Sequence, residues 1–308
     1  MYIVLNNRPD RMGANLSWYI MQLIYAHKNK WFIHYYGSPF DNSIFFKAIR
    51  MFVDKYNKKL SDELGSYDHQ FRTYIIDVNE QDWPGNCMKV CLNVKKDLIS
   101  YHYEYLYDSL IDCFNSVVVE NIDMFKDFPK LNLQKTIAVH MRLDDIVDRQ
   151  PYNGIHSTEY YREKVNTGNI AINLDEEQRF FIKKGLWVPS YGRHYNPYDC
   201  QAPIEEHIVQ EYINKAKNEF PEHEVVIVTS LISKVTLPYQ VIRSPNPDID
   251  LFIMSKADVL ICSKSLFCFS ALYFGKSSKR YIPMWGHIAG TGLTSKYDNT
   301  KNNVYLYD

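Results

Sequence analysis

Cysteine is scarce in this 308-residue chain: the six, at positions 87, 91, 113, 200, 262 and 268, show no paired metal spacing. Cys87 and Cys91 have no second close pair, which argues against both a disulfide framework and a structural zinc. Neither sign of charge is in excess. The formal net charge of −1 removes the basic footprint of a general nucleic-acid binder and leaves room only for a local anion pocket. No apolar run reaches about 18 residues, and the amino terminus enters a strand-like segment without a basic region and an apolar core before it. These absences predict no integral membrane segment and no signal peptide, hence a cytoplasmic enzyme or a soluble domain of a larger one. Gly-x-Gly-x-x-Gly does not follow the first strand, which disfavours a nucleotide-dependent oxidoreductase. No internal repeat or low-complexity tract is present.

What is present reads as an α/β protein with enough chain for two modest domains. Residues 1–7 form a strand pattern. Residues 6–15 form a polar turn with one proline and one glycine, and residues 16–26 carry Leu16, Ile20 and Leu23 at helical spacing. A second strand over 31–36 stops at Gly37, and a helix follows over 41–56. Strands alternating with helices predict a parallel sheet. Residues 57–100 are less regular, with one strand at 74–78, and 101–126 read as a helical bridge. Beyond it, 158–165 and 205–218 read as helices and 224–229 as a buried strand closed by Ser230. Between them, 166–204 form a long polar and aromatic insertion that suits a lid or acceptor contact. The 25 tyrosines suit stacking on sugar rings, and equally follow from genome base composition.

The chemistry gathers at two places. Residues 136–142 as a strand put Ile137, Val139 and Met141 on one face, with Ala138, His140 and Arg142 on the other. A cation and a titratable ring then emerge together at a strand end, just before Asp144 and Asp145, as groups presented to a phosphorylated ligand do. The alternative is a strand whose last residues simply reach solvent. The second place runs from Asn246 to His287. Asp248 is expected to cap a helix with Asp250 in its first turn. Residues 258–262 read as a strand, Ser263, Lys264 and Ser265 as a turn, and 266–274 as a helix ending at Gly275. Such a turn gathers amide N–H groups, two hydroxyls and an ammonium into an anion site; either serine as a plain helix cap is the alternative.

In order along the chain these segments resemble the fucosyltransferase-like superfamily, most closely its alpha-1,2-fucosyltransferase branch. Gly13 and Asn15 in Arg11-Met12-Gly13-Ala14-Asn15-Leu16 are similar to the family's Gly-Asn-Gln-Leu loop. His140, Arg142 and Asp145 match the His-x-Arg-Arg-Gly-Asp signature, in which Leu143 and Asp144 depart from the pattern. Tyr160 and Tyr161 resemble a paired tyrosine at a helix start. Asp250-Leu251 with Met254-Ser255, then the serine-rich stretch 263–270 and Trp285, resemble the family's last block.

The resemblance implies a GT-B architecture of two Rossmann-like domains facing across a cleft: 1–130 on the acceptor side, and 131–308 on the nucleotide-sugar side with the insertion at about 166–204. It implies inverting transfer of L-fucose from GDP-fucose to a glycan hydroxyl, with no obligatory cofactor or metal. Catalysis of such a transfer needs cations and N–H donors at the departing diphosphate. Arg142 is the candidate, with Ser263, Lys264 and Ser265 on the other face of the diphosphate. His140 is read as a donor to sugar or phosphate, against a purely structural histidine. Asp145 and Asp250 suit ribose hydroxyls or the base edge. Asp10 and Asp148, with Asp144 beside them, are the carboxylates able to act as the acceptor's base. Asp248-x-Asp250 matches a three-residue metal signature but falls at a helix start, where a cap explains it. A UDP- or GDP-linked xylose or rhamnose donor, or a non-catalytic glycan-binding protein on this fold, are the competing readings.

Overall fold

Thr136–His140 has no polar residue that a buried strand cannot satisfy, and every residue of it is buried. The computed structural model describes residues 2–5, 7, 11–64, 102–126, 131–142, 204, 206–231, 233, 235–283 and 304–307. The chain divides into two units, Met1–Pro129 and Lys130–Asp308.

In the first unit β1 (Tyr2–Leu5) pairs in parallel with β2 (Phe32–Tyr35), joined through α1 (Met12–Lys28). Helix α1 begins four residues before the expected 16. Gly13 and Asn15 therefore lie in its first turn, both buried, rather than in a loop. The Asn15 amide donates to Arg11 O at 3.2 Å, the acceptor its own backbone N–H uses at 3.1 Å; the asparagine reinforces the first turn that its residue type would ordinarily break. Helix α2 (Ile44–Leu64) also outruns expectation, because its later turns need only Leu60 and the helix-favouring lysines to continue. Ser43 Oγ accepts from Phe45 N–H at 3.2 Å at its start. Asn57 then reaches β2, accepting from Ile33 N–H at 2.9 Å and donating to Ile33 O at 2.7 Å. An edge strand's open ladder is thus closed by one side chain. The expected helical stretch after 101 is a π-turn (His102–Leu106) leading into α3 (Tyr107–Glu120), packed on α2 with the Phe45 and Phe114 rings stacked 4.7 Å apart.

The second unit is built on six parallel strands: β3 (Thr136–His140), β4 (Glu224–Val228), β5 (Gln240–Ile242), β6 (Val259–Ile261), β7 (Lys279–Pro283) and β8 (Val304–Tyr307). Their spatial order is β5-β4-β3-β6-β7-β8. Chain order runs outward from β3 in one direction, then from β6 in the other, which is the doubly wound arrangement with a switch point between β3 and β6. Ile137, Val139 and Met141 meet Val225, Ile227, Val259 and Ile261 on one face, under Val209 and Ile213 of α4 (Glu206–Glu219). Helix α5 (Pro247–Lys256) packs against β3 as well. Both faces are covered, as a parallel sheet requires. β3 is shorter than the expected 136–142, and β5 and β8 had no expected counterpart.

The amino ends of the strands are fastened together. Asp258, before β6, takes His223 Nε2 at 2.7 Å from the start of β4 and the Ser278 hydroxyl from the start of β7. Its backbone N–H donates to Leu133 O at 2.9 Å, just ahead of β3. One residue, through its carboxylate and its backbone N–H, thus links four strand starts. Among the described residues no helix is long and apolar enough to cross a membrane. Helix α6 (Leu266–Ala271) is shorter than the expected 266–274, its end tightening into a turn at Leu272, Tyr273 and Phe274 before Gly275.

At Gly275 the chain passes against α5 so closely that a Cβ would stand 2.1 Å from Ser255 O and 2.8 Å from its carbonyl carbon. Backbone cannot retreat as a side chain can. Gly275→Ala is therefore expected to cost about 3 kcal/mol or more, lowering the midpoint of thermal unfolding by roughly 6–12 °C. An unchanged midpoint in circular dichroism would show that this approach is not a tight one.

Candidate functional site

The switch point places two loops at the carboxyl edge, one after β3 and one after β6. The register sets Val139 beside Ile261, so His140 and the Cys262-Ser263 turn leave the sheet at the same level. His140 Nδ1 and Ser263 Oγ are 2.6 Å apart, both residues buried. With Ser263 donating, the ring's proton is on Nε2, a donor of the kind that phosphate or hydroxyl oxygens accept. The imidazole also leans on Phe267, centroids 6.0 Å apart.

Arg142 follows two residues on, half-buried. Its predecessor is anchored to β4: Met141 N–H donates to Val228 O at 3.0 Å, and Thr229 Oγ1 donates to Met141 O at 2.7 Å. The strand geometry is thereby held to the residue before the guanidinium.

Across the turn, Ser265 caps α6, its Oγ accepting from Phe267 N–H at 3.2 Å. Ser263 O accepts from Ser265 N–H at 2.8 Å, which closes the turn, and Lys264 between them is half-buried. The hydroxyls of Ser263 and Ser265 thus already have protein partners. Behind them Cys262 and Cys268 are buried free thiols, and burial, with the Cys262 thiol beside it, holds Cys268 well above the ordinary range.

Helix α5 starts at the same carboxyl edge, after β5. Its cap is Asn246, whose Oδ1 accepts from Asp248 N–H at 3.0 Å with Pro247 in the first turn. Asp248 was expected in that role; the asparagine one residue before the proline takes it because Pro247 suits the first helical position and has no N–H to satisfy. Asp250 is buried, and its Oδ1 has no hydrogen-bond partner. Burial raises its carboxyl from 3.8 to about 7, against a smaller opposing contribution from the Ser244 backbone N–H. A buried carboxyl left half-satisfied costs stability.

The structure therefore gathers His140, Ser263, Lys264, Ser265 and Arg142 about the switch point and places Asp250 at the same edge. Gly13 and Asn15 are in the other unit. Asp10, Asp144, Asp145 and Asp148, with Tyr160, Tyr161, Trp285, the expected strand at 74–78, the helix at 158–165 and the insertion at 166–204, lie outside the described residues. The sequence reading did not find the His140 to Ser263 contact, and no local signal joins two residues 123 apart. No protein-family model matches the chain, and no curated protein matches it.

Asp250 has a pH signature with a definite sign. The unfolded carboxyl sheds its proton near 3.8, and the folded one keeps it until about 7. Between those values the native state holds the extra proton, so stability falls as pH rises and levels off above pH 7. Asp250→Asn should remove this slope and stabilise the protein at pH 8 by the order of 2–3 kcal/mol. Thermal unfolding of both forms at pH 5, 6, 7 and 8 measures it; a constant difference would mean that the carboxyl is not held neutral.

Proposed function

We propose that the chain is an inverting glycosyltransferase of the GT-B kind, transferring L-fucose from GDP-fucose to a hydroxyl of a glycan. The observation that carries this reading is the contact between His140 and Ser263 at the switch point of a doubly wound sheet. Ligands of such sheets bind outside the carboxyl ends of the strands at that point, and the residues assembled there are donors and cations.

In this reading the nucleotide diphosphate lies over the switch point. Charge grows on the β-phosphate as the glycosidic bond breaks, and Arg142 meets it with a planar fork able to bind two oxygens. His140 donates from Nε2 while Ser263 fixes its tautomer, so Ser263 acts through the histidine rather than on the phosphate. Lys264 adds an ammonium beside it. Asp250 is held apart from the diphosphate, where a carboxylate would repel it; its neutral form at pH 7 can donate as well as accept, which suits a ribose hydroxyl or a base edge. The acceptor's proton goes to a carboxylate base, with Asp10 and Asp148 as its candidates.

Titration with GDP should raise the thermal midpoint of the protein, equally with and without EDTA, because a ligand that binds only the folded state stabilises it by mass action. Arg142→Ala should keep the unliganded midpoint, weaken that response and lower the transfer rate by roughly two to three orders of magnitude. A preference for UDP would change the donor. Near-normal turnover in Arg142→Ala would remove the proposal.

A further inference from the structure

Two free thiols meet directly behind the switch point. Cys262 follows β6 and still pairs across the sheet, its N–H donating to Tyr281 O at 2.8 Å. Cys268 lies in the first turn of α6, which Ser265 caps. Both cysteines are buried and free. Their sulfurs are hydrogen-bonded to each other, and the Ser263 backbone N–H donates to the Cys268 sulfur as well. Ser263 is therefore held from two sides, by its amide at the thiol pair and by its hydroxyl on His140 Nδ1.

A buried cysteine ordinarily serves as a small apolar group. Filling space needs no contact between sulfurs, whereas two thiols already in contact need only lose their hydrogens to join. The closed loop would hold just the five residues 263–267, and the entropy of bringing its ends together is small. Burial pushes the Cys268 thiol well up, so the pair rests reduced, the thiolate being the reactive form. Access comes from α6 itself: it is six residues long and has little of the cooperativity that keeps a longer helix closed.

We propose that Cys262 and Cys268 form a redox site that closes reversibly into a disulfide beneath the switch point. The electron acceptor is an azo compound or a small-molecule disulfide. One sulfur adds to it and the second displaces it. The S–S bond forms, both S–H bonds are lost, and two electrons and two protons leave on the acceptor, as a hydrazine or as two thiols. The new bond is about 2 Å long, shorter than any contact between thiols, and Cys262 is anchored to β7. The give therefore falls on α6 and the turn 263–265, and the Ser263 hydroxyl is drawn from His140. That this lowers nucleotide affinity rests on the proposed function; the disulfide does not.

Diamide treatment of the folded chain, followed by alkylation and tryptic mapping, tests the site. Trypsin cuts after Lys256, Lys264 and Lys276, so residues 257–264 and 265–276 carry one cysteine each and stay joined only through this bond. The joined pair should account for most of both peptides after diamide and disappear after dithiothreitol. Both peptides recovered apart and alkylated, at a diamide dose that fully oxidises glutathione, overturns the proposal, as does either cysteine joined to a different one. GDP should raise the thermal midpoint of the reduced parent, and diamide should at least halve that rise. Cys262→Ala has no such bond to form and should keep its own GDP response in diamide. A joined pair with an unaltered GDP response keeps the redox site and removes its hold on the nucleotide. No GDP response in the reduced parent, with the pair still joining, removes the proposed function and leaves the redox site standing.

Discussion

β3 has to satisfy its backbone on both sides while both of its faces are buried, and the second unit is arranged around that requirement. Its neighbours β4 and β6 supply the hydrogen bonds, in registers that set Ala138 beside Val226 and Leu260. Its faces demand covering layers, met by α4 over Ile137 and Val139 and by α5 on the same strand. An unpaired N–H or C=O in that position would cost about 1–3 kcal/mol, so β3 could not move by one residue without turning His140 and the core set to opposite faces. The position of the candidate site is a consequence of that register.

The two ends of the sheet are finished differently. At the amino edge Asp258 joins the starts of β3, β4, β6 and β7, and Lys279 is paired with Glu219 nearby. His223 nevertheless keeps its buried Nδ1 without a hydrogen bond there, although its Nε2 is bound to Asp258. At the carboxyl edge the histidine is tied to a serine, yet Asp250 keeps an unpaired oxygen and a carboxyl poised near neutrality. Each edge thus keeps a buried polar atom without a hydrogen bond among the described residues, His223 Nδ1 at one and Asp250 Oδ1 at the other. The buried Asp250 carboxyl is in addition pushed up to about 7, and perturbed groups of that kind cluster at functional sites.

Sequence periodicity was informative wherever one physical effect dominated. β3, β4 and α4 have long, bounded apolar patterns, and all three are found within a residue or two of where those patterns place them. Propensity misled where tertiary contacts outweighed it. Gly13 and Asn15 look like loop residues, but packing buries them in α1 and the Asn15 amide finds a helical acceptor. Asn246 caps α5 although Asp248 has the stronger appearance of a cap. β5 is three residues long and has no period to detect. The site was legible as two separate clusters of residue types. Their meeting at His140 and Ser263 depends on strand order, which no local pattern contains.

Strand order also changes how the serine-rich turn has to be understood. As a sequence, Ser263-Lys264-Ser265 offers two hydroxyls and an ammonium to an anion. In the fold, one hydroxyl is committed to an imidazole and the other to a helix cap, so neither can turn to a phosphate without leaving a buried partner unpaired, at about 1–3 kcal/mol each. An anion over this edge would thus meet the half-buried Arg142 and Lys264 side chains rather than the serine hydroxyls. The serines then act as positioning residues. The arrangement favours donors whose directions are set before the ligand arrives, the condition under which hydrogen bonds at a developing negative charge contribute most.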